Sequence, residues 1–145
     1  MTWLQLTFAT TSDNADLISE GLTDAGAQAV TTRNNEQALI ATQENARRNG
    51  VSEQIETFFP ETMPSITADM LVANILSEPL IKLVPVFADT LSADGRIVLS
   101  GILANQAGEI VRAYELWFNM RPAVSSNEWV RLEGIRLPVK QTDDV

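Results

Sequence analysis

Residues Leu71 to Leu80 read LVANILSEPL, and the fold class turns on how they are parsed. The run Asp69–Leu76 is apolar except at Asp69 and Asn74 and has the length of a strand. Ser77, Glu78 and Pro79 then form a helix-start signal. The helix that begins at Ser77 carries Leu80, Leu83, Val84, Phe87 and Leu91 on one face. Pro85 lies inside that pattern, where it has no N–H to donate and crowds the preceding turn, so a kink or early break is expected. A strand that hands over directly to a helix is half of a β-α-β unit. The odd residue is Asn74, an amide where any aliphatic side chain would pack at lower cost.

The same alternation extends outward. Upstream, Thr2–Phe8 alternates apolar and polar residues as a half-buried strand does. Ser12 or Asp13 can cap a helix with Ala15, Leu17, Ile18 and Leu22 on one face, ending near Gly26, and Ala27–Thr32 reads as the next strand. Asn34–Gly50 is a second helix, with Asn35 as a plausible cap and a narrow face of Ala38, Leu39, Thr42 and Ala46. Arg47 and Arg48 sit where the helix dipole favours cations, and Gly50 closes the helix. Ser52–Phe59 is a strand and Pro60–Ala68 a loop. Downstream, a turn at Asp94–Gly95 leads into a buried strand to Leu103. A helix over Ala104–Phe118 follows, with Ala107, Ile110, Val111, Tyr114 and Phe118 aligned. Arg121–Val139 reads as two antiparallel strands with a turn near Ser125–Asn127. The expected fold is therefore α/β, a mostly parallel sheet with a C-terminal antiparallel hairpin, over a single domain of residues 1–140 and a polar tail of 141–145. In such sheets ligands bind beyond the carboxyl ends of the strands, which is where Asn74 and Ser100 fall.

Composition narrows the chemistry. The chain of 145 residues, 45% hydrophobic and 20% charged, suits one globular domain. No apolar stretch approaches the ~20 residues of a membrane helix. The N-terminus shows no basic region followed by an apolar core, so neither membrane nor secretory signal is expected and a cytoplasmic protein is. There is no cysteine and no histidine, which excludes disulfides, thiolate metal sites, a cysteine nucleophile and every Ser-His-Asp arrangement. No metal site is expected. The carboxylates show no paired spacing that marks a general acid and base. A net charge of −9 disfavours nucleic acid and favours a basic partner, or serves solubility alone.

Three stretches in order, NARRNGV (Asn45–Val51), VANILSEPL (Val72–Leu80) and LSGILANQ (Leu99–Gln106), followed by EWVRLEGIR (Glu128–Arg136), resemble the later part of the catalytic domain in the methyltransferases of large-subunit ribosomal protein eleven. Residues 35–138 are covered by this resemblance. Residues 1–32 resemble the start of that family's recognition domain, so an internal portion of the family pattern is missing between about Val30 and Asn35. The resemblance implies an abbreviated Rossmann-like methyltransferase fold and the cofactor S-adenosylmethionine. It also implies methyl transfer to amino groups of a basic ribosomal protein, without direct contact to nucleic acid. It assigns Asn74 to the cofactor and the reacting amine, and places Asn34, Asn35 and Ser100 at the cofactor.

Two family features are absent. None of the seven glycines pairs into GxG, the tight turn that lets backbone approach such a cofactor. The place of the ribose-binding carboxylate falls at Arg33 or Asn34. The N-terminal β-α-β segment offers a replacement: it would stand in for the missing first strand, helix and second strand, with Ala9–Asp16 as first loop and Asp13 or Asp16 near the ligand. That reading requires Thr2–Phe8 beside the strand of Asn74 and not at the sheet edge. The competing readings are a non-catalytic remnant or acidic protein-binding module, and a homodimer in which a second copy completes the site. A blander role is open to each residue as well. Asn74 would cap the Ser77 helix, Gly101 would let the chain leave a strand, and Ser100 would only face the crevice.

Overall fold

The computed structural model describes residues 3–7, 27–31, 36–58, 62 and 64–138, the first two stretches and residues 36–38 by backbone alone. In chain order the strands are β1 (Trp3–Thr7), β2 (Ala27–Thr31), β3 (Ile55–Phe58), β4 (Ala68–Asn74), β5 (Leu91–Leu103), β6 (Phe118–Met120), β7 (Val124–Ser126) and β8 (Trp129–Arg136). The helices are α1 (Glu36–Arg48), α2 (Ser77–Lys82), α3 (Val84–Thr90) and α4 (Ala107–Tyr114). The sheet runs β3-β2-β1-β4-β5-β8-β6, with β7 paired to β8. Every pairing from β3 to β5 is parallel, and β8 is antiparallel to β5, β6 and β7. The α/β class with a mostly parallel sheet is as the sequence predicts. β1 lies between β2 and β4, with Thr7 opposite Asn74, the placement that the replacement reading requires. The predicted helix between β1 and β2 lies outside the described residues.

The core sits on one face of β4, β5 and β8. Leu71 is in register with Ile97, and Ala73, Leu99 and Leu132 form one row across three strands; all five are fully buried. Leu80 of α2, Val84 and Phe87 of α3, and Ile110 and Tyr114 of α4 close over them. Burying one such aliphatic or aromatic side chain contributes about 1.5–3 kcal/mol, so this layer anchors the carboxyl end of β4. Tyr114 donates its hydroxyl to the carbonyl of Leu80 at 2.8 Å, which ties α4 to α2. Desolvation in that position pushes the Tyr114 pKa up. On the other face of β5 and β8 the charged side chains are solvated. Glu133 meets Arg131 at 2.9 Å and lies 3.8 Å from both Arg96 and Arg121.

The local signals act where expected. Pro85 falls in the first turn of α3, so the predicted helix divides at Leu83 into α2 and α3. Gly50, at φ +69°, ends α1. The amide of Val51 donates to Ala46 O at 2.9 Å and that of Gly50 to Arg47 O at 3.2 Å. These two bonds are a Schellman closure, which satisfies the last carbonyls and requires the left-handed residue. Arg48 pairs with Glu44 one turn back, a solvated helix end.

Four elements depart from the sequence reading. The turn expected at Asp94–Gly95, and Leu91 of the expected helix face, both lie within β5, Leu91–Leu103. The strand expected over Ser52–Phe59 opens with a 3-10 turn at Ser52–Gln54, and among its described residues Ile55–Phe58 pair. The helix expected over Ala104–Phe118 is confined to Ala107–Tyr114. A turn precedes it, held by the Gln106 side chain accepting from the amide of Leu103 at 3.0 Å. Phe118 belongs to β6, beside Arg136 on β8, so β6 joins the expected antiparallel hairpin, which β7 and β8 form. Gly134 permits this crossing, because a Cβ there would stand 2.7 Å from Met120 Sδ.

Candidate methyl-transfer site

β1, β4 and β5 run parallel, and their carboxyl ends form one edge. Thr7, Asn74 and Ser100 occupy one register row across the three strands. β4 is buried almost throughout, and Asn74 is 9% exposed. Among the described residues Asn74 and Arg136 are the buried polar or charged side chains. Asn74 Oδ1 and Ser100 Oγ are both shielded from solvent and have no hydrogen-bond partner among the described residues. An unsatisfied buried acceptor costs about 1–3 kcal/mol, and such groups in native proteins call for a reason. Here two stand side by side at the expected ligand edge.

The capping role for Asn74 does not hold. The N-cap position of α2 is Leu76, without a side-chain cap bond, and Asn74 Oδ1 bonds to nothing among the described residues. Gly101 does not release the chain either, since β5 continues to Leu103. Between the pairs Leu99↔Leu132 and Ile102↔Val130 the register shifts, so β5 carries one more residue than β8. Ser100 and Gly101 form this bulge, with Gly101 at φ +78°. Bulges bend a strand and re-aim its side chains, and they recur beside active sites. A Cβ on Gly101 would lie 2.8 Å from Asn74 Oδ1 and 2.9 Å from Ile75 O. The sequence carries one signal for this contact, the glycine directly after Ser100; the bulge is visible only once β8 is in place.

Of the residues singled out in the sequence, Asn74 and Ser100 are thus brought together. Asn34, Asn35 and Arg33, which follow β2 in the chain, lie outside the described residues, as do Asp13 and Asp16, which precede it. The donor set that is described suits a ligand rich in hydrogen-bond donors: a carbonyl oxygen and a hydroxyl, with no charged side chain in the row. The two oxygens can accept hydrogen bonds from an amine such as that of S-adenosylmethionine. Among the described residues no group of three or more acidic side chains is arranged to hold a metal ion, and no helix is long and apolar enough to cross a membrane.

The last resembling stretch is structural. Arg136, which closes EWVRLEGIR, donates Nε to Ala88 O at 2.9 Å and Nη1 to Trp117 O and Leu137 O at 3.1 and 3.0 Å. Its guanidinium also lies over the rings of Trp117 and Phe118, at 5.4 and 5.9 Å from their centroids.

Known proteins share this fold. Among solved structures, the chain superposes on a ribosomal protein L11 methylase from Lactobacillus delbrueckii subsp. bulgaricus with a TM-score of 0.71. That match is 23% identical and covers 94% of this chain and 70% of that one. An RNA methyltransferase from Salinibacter ruber in complex with S-adenosyl-L-homocysteine superposes with a TM-score of 0.63 at 13% identity, over 98% of this chain and 84% of that one. At these identities the likeness is one of fold. Two curated ribosomal protein L11 methyltransferases are nearer in sequence. The relative from Tolumonas auensis is 45% identical over 101 residues and that from Marinobacter nauticus 46% over 101, in each case 69% of this chain. The matches cover 35% and 34% of those relatives, so the chain spans about a third of their length. The family model described as ribosomal protein L11 methyltransferase (PrmA) matches residues 34–136, most of the chain and all four resembling stretches, and the chain belongs to that family.

Proposed function

We propose that this chain binds S-adenosylmethionine at the carboxyl edge of β1, β4 and β5 and directs a methyl group to an amino group of large-subunit ribosomal protein L11. The observation that carries this reading is the pair of buried oxygens without a partner among the described residues, Asn74 Oδ1 and Ser100 Oγ, in one row at that edge. When bound, the cofactor supplies a methyl group on a sulfonium that needs no further activation. What the chain must provide is position and an unprotonated amine. Asn74 Oδ1 accepts a hydrogen bond from the amine, which turns the nitrogen lone pair toward the methyl group. Ser100 contacts the cofactor, and Asn34 and Asn35 meet it from the end of β2. The absence of histidine and cysteine is no obstacle, because such a displacement asks for no strong acid or base on the protein.

Residues 1–140 form one α/β unit in this reading, with β1 and β2 standing where the family's own first strands stand. The net charge of −9 draws a basic acceptor toward the chain, and the cytoplasm, where ribosomal proteins are made, is its place of work. One sequence observation favours a second reading: without a GxG loop the cofactor has no glycine cradle, and a chain that only binds its basic partner would need none.

Titration calorimetry of the purified chain with S-adenosylmethionine separates the two. Micromolar binding that weakens at least tenfold in Asn74→Ala, about 1.4 kcal/mol, is the expected result. No heat at millimolar cofactor from a folded chain would leave the protein-binding reading. A mass that rises with concentration alongside cofactor binding would mean that a second copy completes the site.

A further inference from the structure

We infer that Gly101 is the positioning residue of the site, acting through the amide of Asn74. This rests on the reading of Asn74 above. The bulge at Ser100–Gly101 brings the β5 backbone against the end of β4. The point where a Gly101 Cβ would lie is 2.8 Å from Asn74 Oδ1, 2.9 Å from Ile75 O and 3.3 Å from Ile75 N. Real Cβ contacts essentially never fall below 3.0 Å, so the side-chain oxygen sits in a slot that exists because residue 101 has no side chain.

Asn74 Oδ1 has no hydrogen bond among the described residues to orient it, and the terminal torsion of asparagine is broad. Steric enclosure therefore sets the plane in which the amide meets a ligand. The left-handed φ of +78° keeps the position for glycine on conformational grounds as well. Gly50 is the internal comparison: it has φ +69°, yet a Cβ there meets nothing within 4 Å. Gly50→Ala reports the backbone cost alone, and Gly101→Ala reports that cost plus the contact with Asn74.

The test is a double-mutant cycle on the full chain, read by denaturant unfolding and by S-adenosylmethionine titration, with Gly50→Ala as control. Gly50→Ala should lower the folding equilibrium constant about tenfold and leave cofactor affinity unchanged. Gly101→Ala should lower the folding constant by a larger factor and weaken the cofactor at least tenfold. Gly101→Ala/Asn74→Ala should regain at least tenfold in folding over Gly101→Ala, and bind the cofactor no more weakly than Asn74→Ala does. With purified ribosomal protein L11 as acceptor, Gly101→Ala should lower kcat at least tenfold while KM for the acceptor changes less than threefold.

Additive effects of the two substitutions, in folding or in binding, would overturn the inference. If Gly101→Ala does not fold, a folded double variant supports the inference, and an unfolded one overturns it by placing the clash on backbone alone. A wild-type chain that binds no cofactor would end the proposed function and this inference together. Wild-type binding with unaltered binding by folded Gly101→Ala would end this inference only.

Discussion

Asn74 and Arg136 are the two buried polar side chains of the described core, and they are opposites. Arg136 reaches three backbone carbonyls and two aromatic rings, and its carbonyl at Ala88 lies in the last turn of α3, where a cation meets the negative end of the helix. Asn74 has an oxygen that reaches nothing among the described residues. Both stretches belong to the family pattern, so pattern alone would rank them equally. Hydrogen-bond satisfaction separates them: a buried group with all its partners holds the fold, and one without them is kept for something outside it.

That contrast can be broken by experiment. The largest effect on stability should come from Arg136→Met. It removes the charged donors from three carbonyls and should cost about 3 kcal/mol, measured by denaturant unfolding, with cofactor affinity of the folded fraction unchanged. An affinity loss at constant fold would move Arg136 into the site and dissolve the comparison.

Tyr114→Phe should come next, at about 1 kcal/mol, for the loss of a buried bond to Leu80 O. Tyr114 also gives a pH signature. Burial raises its pKa in the folded protein, so above about pH 10, where an unfolded tyrosine ionises, the unfolded chain loses a proton that the folded protein keeps. The contribution is complete below that pH and declines as pH rises, at up to about 1.4 kcal/mol per unit. As the single tyrosine of the chain, its phenolate absorbance should appear together with unfolding in an alkaline titration. A phenolate signal from folded protein near pH 10 would contradict the buried bond.

The smallest stability effect should be that of Asn74→Leu, within about 0.5 kcal/mol of wild type or slightly stabilising, since it removes an acceptor with no partner among the described residues and leaves apolar volume. Cofactor binding should nevertheless be lost. A cost above 2 kcal/mol would show that Asn74 is a structural residue after all.

How much of this was legible in the sequence follows from the range of each interaction. The handover from β4 to α2, the break at Pro85 and the closure at Gly50 depend on residues within a few positions of each other, and all three read correctly. The position of Asn74 at the carboxyl edge also read correctly, because it needs only the strand direction and the topology. β6 did not: three residues make no periodic signal, and Phe118 fits a helical face as well as a strand until Arg136 lies beside it. The role of Arg136 depends on carbonyls at Ala88 and Trp117, far away in the chain. Gly101 is visible in the sequence but its role is not, because an extra residue on β5 is defined only against its antiparallel neighbour β8.

The direction of β8 has a practical consequence. β1 starts at the amino edge of the parallel strands, and β8, being antiparallel to β5, finishes at that same edge. Anything tethered ahead of Trp3 or beyond Arg136, whether a purification handle, a fluorophore or a fused partner, is therefore attached across the sheet from Asn74 and Ser100. Neither attachment point lies at the edge that carries those two residues.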